Sequence, residues 1–217
     1  MSNLSYMDEL LVYFHNECNE SIMMYELTLR LYNDIEEYSD KMRDMIIEYI
    51  ILQLFAKWET FLEKIFIAYM LGEKSANGDS VKRYVEPINE EHAYKIVKNV
   101  NQYPDWSKVD EILINAENFF EKGGAFVVLK TTKGYLGELK KVRNGIAHVS
   151  KKSKKDFENL VLGKLGKLPT EITPAKFLIN HKIGKRKKDP THFEFYVGYL
   201  KDVATMLVEF KVEQNLV

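Results

Sequence analysis

Along residues 6–38, apolar side chains recur at three- and four-residue steps: Leu10, Leu11 and Phe14, then Ile22, Tyr25, Leu29, Tyr32 and Ile35. No glycine or proline interrupts them, so the spacing predicts one long amphipathic helix. Ser39-Asp40 supplies a turn or cap. A second long helix is expected over residues 41–71, with Gly72 placed to end it. Its middle, residues 46–66, is apolar nearly all round, the pattern of a central buried helix.

The remainder is more broken. Residues 73–80 read as a polar loop and 89–99 as a short helix. Tyr103-Pro104-Asp105-Trp106 reads as a turn, with Ser107 or Asp105 as the next cap. Residues 109–120 look helical, and Gly123-Gly124 stops them. Residues 130–149 form the next predicted helix, with Leu136, Leu139, Val142, Ile146 and Val149 on one face. Lys151 to Lys155 read as a loop. Residues 160–188 read as irregular, because Gly163, Gly166, Pro169, Pro174 and Gly184 punctuate them. Residues 177–182 are compatible with a short strand, and with a hairpin. Asp189-Pro190 looks like a helix start, and a last helix is expected over 191–213. The expected fold class is all-α, a bundle of long antiparallel helices with a partly irregular insertion at about 160–188, within a single domain spanning 1–217.

Bulk properties narrow the class. The chain has 217 residues, 46% hydrophobic and 29% charged, enough for a sizeable core. A single cysteine, Cys18, excludes an internal disulfide and fits a reducing compartment. It reads as a small buried apolar residue. No signal peptide and no uninterrupted membrane-spanning run is visible, so a soluble cytoplasmic protein with no membrane partner is expected. The net charge of −1 hides an uneven distribution. Residues 1–50 carry eleven acids against three bases, whereas residues 122–188 carry eighteen Lys and Arg against four acids. Such asymmetry suggests a polyanionic partner, although solvated lysines would look the same.

Inside the basic half lies Arg143-Asn144-Gly145-Ile146-Ala147-His148. Arginine offers a permanent cation with a planar fork suited to phosphate. Histidine offers a proton carrier for near-neutral pH. In a continuous helix Asn144 and His148 share a face, being four apart. Arg143 and His148 are five apart and diverge by roughly 140° at 100° per residue. One straight helix therefore does not converge them; a bend, another helix or a second copy must complete the site.

These residues carry a family resemblance. Residues 139–148, Leu-Lys-Lys-Val-Arg-Asn-Gly-Ile-Ala-His, resemble the HEPN signature of Arg, four to six residues and His, often with Asn after the Arg. Upstream, residues 55–62, Phe-Ala-Lys-Trp-Glu-Thr-Phe-Leu, resemble the Trp-Glu-x-Phe pattern of several HEPN nuclease branches. The resemblance covers most of the chain except residues 160–188. It implies a helical bundle that dimerises through the motif region, with Arg and His from both copies facing one cleft. It also implies metal-independent endoribonuclease activity, often that of a toxin in a toxin–antitoxin or phage-defence system. A cognate antitoxin protein is then an expected partner, beside the RNA substrate and a second copy. One branch has Tyr two residues after the His, where its partner nucleotidyltransferase modifies it. Ser150 stands there in this chain, which speaks against AMPylation at that point.

On that reading the catalytic residues are Arg143, Asn144 and His148. A ribose 2′-OH attacks the adjacent phosphate, His148 takes or gives a proton, Arg143 stabilises the phosphorane, and Asn144 binds a phosphate oxygen or orients His148. The product would be a 2′,3′-cyclic phosphate, which excludes DNA as substrate. Lys140, Lys141, Lys151, Lys152, Lys154 and Lys155 are the expected RNA contacts, and residues 182–188 could also hold phosphates. Glu59 is a candidate supporting residue or an ordinary structural hydrogen-bonder. Trp58 reads as core. No cofactor is expected and no metal ligand is assigned, because His15, His92, His181 and His192 lack ligand spacing. A second reading stays open: a catalytically silent HEPN-like dimer that binds nucleic acid or a partner protein.

Overall fold

A computed structural model describes residues 4–101 and 104–212, without the side chains of residues 99–101. It is all-helical. The order is α1 (Tyr6–Asp34), α2 (Asp40–Leu71), α3 (Glu90–Asn101), α4 (Val109–Phe119), α5 (Leu129–Ala147), α6 (Lys151–Leu165), α7 (Pro174–Asn180) and α8 (His192–Val208). A 3₁₀ stretch, Glu121–Val128, joins α4 to α5. Isolated bridges pair Arg83 with Phe120 and Lys182 with Thr191. Among the described residues no helix is long and apolar enough to cross a membrane.

The chain forms two compact units. The first takes Met1–His15, Trp58–Gly134 and Lys201–Val217. Its core is aromatic: the Phe66 ring lies 5.3 Å from Trp106, 5.1 Å from Phe120 and 4.9 Å from Phe126. Six consecutive residues, Ile65 to Met70, are buried, so here α2 is enclosed on every side. Gly72 ends α2 with φ +92°, a left-handed cap that favours glycine. The Arg83 guanidinium then donates to the Met70 carbonyl at 2.9 Å, occupying one of the helix-end acceptors. Gly124 is needed for closeness as well as conformation. A Cβ there would stand 2.6 Å from Val81 Cγ1.

The second unit takes Asn16–Lys57 and Tyr135–Leu200. Rings again fill it. Phe157 meets Phe177 edge-on at 6.0 Å, Phe177 stacks on His192 at 4.1 Å, and Tyr25 stacks on Phe193 at 4.3 Å. Each short helix has a start signal of its own. Ser150 Oγ accepts from Ser153 N at 3.1 Å and caps α6. Thr173 Oγ1 accepts from Lys176 N at 3.1 Å and caps α7, with Pro174 in its first turn. Thr191 and Glu194 exchange bonds across the start of α8: Glu194 N donates to Thr191 Oγ1 at 3.3 Å, and Thr191 N donates to Glu194 Oε2 at 2.7 Å. This reciprocal pair is a capping box.

Several expectations from the sequence are corrected. Lys151 to Lys155 begin α6 rather than forming a loop, because Ser150 caps them. The stretch 160–188 is less irregular than its glycines suggested: α6 continues to Leu165, and Gly166 (φ +70°) ends it. Residues 177–180 lie in α7, not in a strand, and the hairpin reduces to one bridge between Lys182 and Thr191. α8 starts at His192, two residues after Pro190, because Thr191 is the cap. α1 stops at Asp34, short of residue 38. The middle of α2 is not enclosed all round, since Tyr49 is 55% exposed. Tyr103 of the expected turn, and Glu213, lie outside the described residues.

Candidate functional site at the α5–α6 corner

α5 delivers Arg143 and Asn144, then ends at Ala147. Its last turn is closed by His148 N donating to the Asn144 carbonyl at 3.1 Å. His148, Val149 and Ser150 form the link to α6. Despite the divergence expected of a straight helix, the side chains of Arg143 and His148 meet. Arg143 Nη1 lies 3.5 Å from His148 Nε2 and donates to Asn144 Oδ1 at 3.1 Å. All three side chains come together at the helix end within one chain.

The chemistry of that contact is specific. A guanidinium nitrogen can only donate, so any hydrogen bond across this contact has His148 Nε2 as its acceptor. At 3.5 Å the contact is at the outer limit of a hydrogen bond. Arg143 is oriented from behind as well, its guanidinium carbon 5.7 Å from the Phe55 ring centroid on α2. That distance allows cation–π attraction. Arg143 and Asn144 are half-buried, while His148 is exposed. The corner thus presents one exposed imidazole beside one anchored cation.

Gly145 fixes the corner from below. A Cβ there would sit 3.2 Å from Phe157 Cβ, tighter than ordinary packing, so α5 and α6 approach closely where the motif lies. The positive end of α6 and Lys151, Lys152, Lys154 and Lys155 follow directly, all four lysines exposed. Helix N-termini attract anions. Lys154 shares its charge with Glu158 at 3.9 Å. Lys141 is exposed and Lys140 half-buried one turn before Asn144. Val149, beside His148, is fully exposed.

Other expected residues fall elsewhere. Glu59 is half-buried and belongs to the first unit. The α2 residue that meets Arg143 is Phe55, which sequence reasoning gave no role; nothing in a single sequence announces a ring beneath a cation from another helix. Trp58 is core, 2% exposed, with its ring 5.5 Å from Phe14. Cys18 is buried. His15 is taken up by Lys201 O at 3.3 Å and Thr205 Oγ1 at 3.2 Å. His92 Nδ1 accepts from Ile88 N at 3.2 Å. Among the described residues no three His, Cys, Asp or Glu side chains gather as metal ligands would. A groove of about 930 Å³ opens in the first unit, lined by Val81, Lys82, Lys122, Val127, Met206 and Phe210 among others, and no motif residue lines it.

Comparison with protein-family models, with characterised proteins and with solved structures returns no match.

Proposed function

We propose that the α5–α6 corner is the active site of a metal-independent, HEPN-type endoribonuclease, acting as a toxin or defence effector. The observation that carries this reading is the convergence of Arg143, Asn144 and His148 at an exposed corner that opens into lysines. RNA is the substrate because its 2′-OH supplies the nucleophile that these three residues lack. His148 removes the 2′-OH proton as the oxygen attacks phosphorus, and its conjugate acid, or that of its counterpart in a second copy, protonates the leaving 5′-oxygen. Arg143 stabilises the charge that develops on the non-bridging oxygens. Asn144 keeps Arg143 aimed by accepting its Nη1 proton. The family resemblance adds a two-fold dimer that joins two such corners. An antitoxin protein would act by covering the same corner.

One observation favours the second reading, a silent nucleic-acid-binding or partner-binding dimer. Arg143 is held by both Asn144 and Phe55, as a purely structural arginine would be. Cleavage separates the two. The purified protein should cut single-stranded RNA in excess EDTA, and its expression should arrest growth of the host. His148→Ala should do neither while keeping its helical circular dichroism. Wild-type protein that binds RNA but leaves it intact would establish the silent reading.

A further inference from the structure

Residues 181–191 form a second feature of the same unit, outside the motif. Seven residues, 182–188, carry five cations: Lys182, Lys185, Arg186, Lys187 and Lys188. All seven are exposed. A basic loop of this kind would ordinarily be a loose, solvated tether. Here the base is closed by backbone bonds on both sides. His192 N donates to His181 O at 3.1 Å, Ile183 N donates to Pro190 O at 3.0 Å, and Lys182 bridges Thr191. The tip is closed as well. Asp189 Oδ2 accepts from Arg186 N at 2.8 Å, and Asp189 N donates to Arg186 O at 3.1 Å. Lys182 Nζ donates to the Lys187 carbonyl.

The single acid of the loop, Asp189, is spent on that fold. Its carboxylate bonds the backbone of Arg186, so it offers the neighbouring cations structure instead of an ion pair. Gly184 makes room for it: a Cβ on Gly184 would collide with Asp189 Oδ2 at 2.0 Å. The loop is therefore a braced finger, with cations on the outside and its one carboxylate turned to its own main chain.

The finger is also tied to the motif by direct packing. Gly145 lies against Phe157, Phe157 meets Phe177, and Phe177 stacks on His192, the residue that closes the finger's base. Three side chains separate the α5–α6 corner from the finger. Between them residues 151–189 hold twelve Lys and Arg against four acids.

We propose that the 181–191 finger is a second phosphate-binding element that grips the RNA strand beyond the scissile bond. The substrate is then a single strand long enough to lie on both the corner and the finger, not a dinucleotide. This rests on the ribonuclease reading for the identity of the ligand. Cations on a braced scaffold lose little freedom on binding. Phosphate contacts position a strand without reading its bases, so the finger contributes affinity and register, while the chemistry stays at Arg143 and His148.

The test is binding, so it does not depend on cleavage. In a His148→Ala background, a fluorescein-labelled single-stranded RNA of about 16 nucleotides, the upper end of an ordinary single-strand site, is titrated at a series of KCl concentrations. Replacing Lys185, Arg186, Lys187 and Lys188 together with Gln should lower the salt slope by about 2 to 3, at roughly 0.7 for each phosphate contact on a single strand. Gly184→Ala keeps every charge but drives a methyl into Asp189, and should weaken RNA binding several-fold. A control removes four cations from the first unit: Lys95, Lys108, Lys130 and Lys133 to Gln, each paired with a carboxylate in the native protein. It should leave the slope in place. An unchanged slope in the quadruple finger variant, or an equal fall in the control, would overturn the proposal. Poly-glutamate binding as tight as RNA, and lost with the same four residues, would overturn it in favour of an acidic protein partner. Loss of cleavage by the wild type with the finger effect intact would sink the ribonuclease reading alone.

Discussion

Two histidines in the second unit sit at helix ends and experience opposite environments. His148 follows the C-terminus of α5, is exposed, and faces the Arg143 guanidinium at 3.5 Å. His192 opens α8, is 1% exposed, stacks on Phe177, and leaves its Nδ1 without a hydrogen-bond partner. Burial first, then the nearby Lys164 and His181 charges, push its pKa down to about 4. Gly145, Phe157 and Phe177 form a packed column that runs from α5, the helix that carries Arg143 and Asn144, to the sealed His192. The contrast separates chemistry from architecture. On the proposed reading, the exposed ring beside a fixed charge is the proton carrier, and the sealed one is structural.

The sharpest way to break the contrast is to remove each end in turn. Arg143→Ala should lower cleavage by about 10²–10³-fold, the usual loss for one electrostatic stabiliser. His192→Phe, which keeps a flat ring against Phe177 and deletes the orphaned nitrogen, should change cleavage by less than about threefold, well under the 10²-fold that marks a general acid or base. Equal losses in both would erase the distinction. Single-turnover cleavage of one RNA by both variants decides it.

Cutting the column between them should be nearly as severe for stability. Phe157→Ala removes a buried ring from beneath Gly145 and is expected to destabilise by about 3–5 kcal/mol. Urea unfolding followed by circular dichroism would register it. A change below 1 kcal/mol, against the usual cost of a core cavity, would mean that α5 and α6 do not depend on this contact.

A smaller effect is expected from pH. Because the folded pKa of His192 lies below its ordinary value of 6.5, the unfolded chain takes up the proton first. Stability is then fully present above about pH 6.5 and falls as pH drops toward about 4, with a slope of about 1.4 kcal/mol per pH unit from this group. Urea midpoints for wild type and His192→Phe between pH 7 and pH 4.5 should diverge, the variant losing less. Parallel curves would show that His192 does not carry the acid sensitivity.

The smallest effect lies at the corner. Ser150→Ala deletes the cap of α6 and should destabilise by about 1 kcal/mol while leaving cleavage largely intact. A cleavage loss matching that of Arg143→Ala would move Ser150 into the catalytic site.

The long helices were legible because their signals are redundant. Apolar residues at helical spacing define α1, a long stretch apolar nearly all round defines α2, and Gly72 marks an end that the structure reproduces. The short helices α3 and α4 were legible too, but α6 over the lysine run and α7 were not, because each depends on one cap. Ser150 outvotes a run of lysines that resembles a loop, and Thr173-Pro174 starts a helix over residues whose composition resembles a strand. The motif residues were legible by type. Their convergence was not, since a straight-helix rotation separates Arg143 from His148, yet their side chains meet at 3.5 Å. Phe55 beneath Arg143, and Gly145 against Phe157, are contacts between elements distant in sequence, and no local pattern encodes them.

The most direct test is the chemistry of the cut end. Wild-type protein is incubated with a single-stranded RNA in excess EDTA, and the products are examined by phosphorus NMR. A 2′,3′-cyclic phosphate and a free 5′-hydroxyl are expected, absent with His148→Ala. A 5′-phosphate product, cleavage that appears only after Mg²⁺ is added, or wild-type rates in His148→Ala would contradict the assignment of Arg143 and His148 as the site of RNA cleavage.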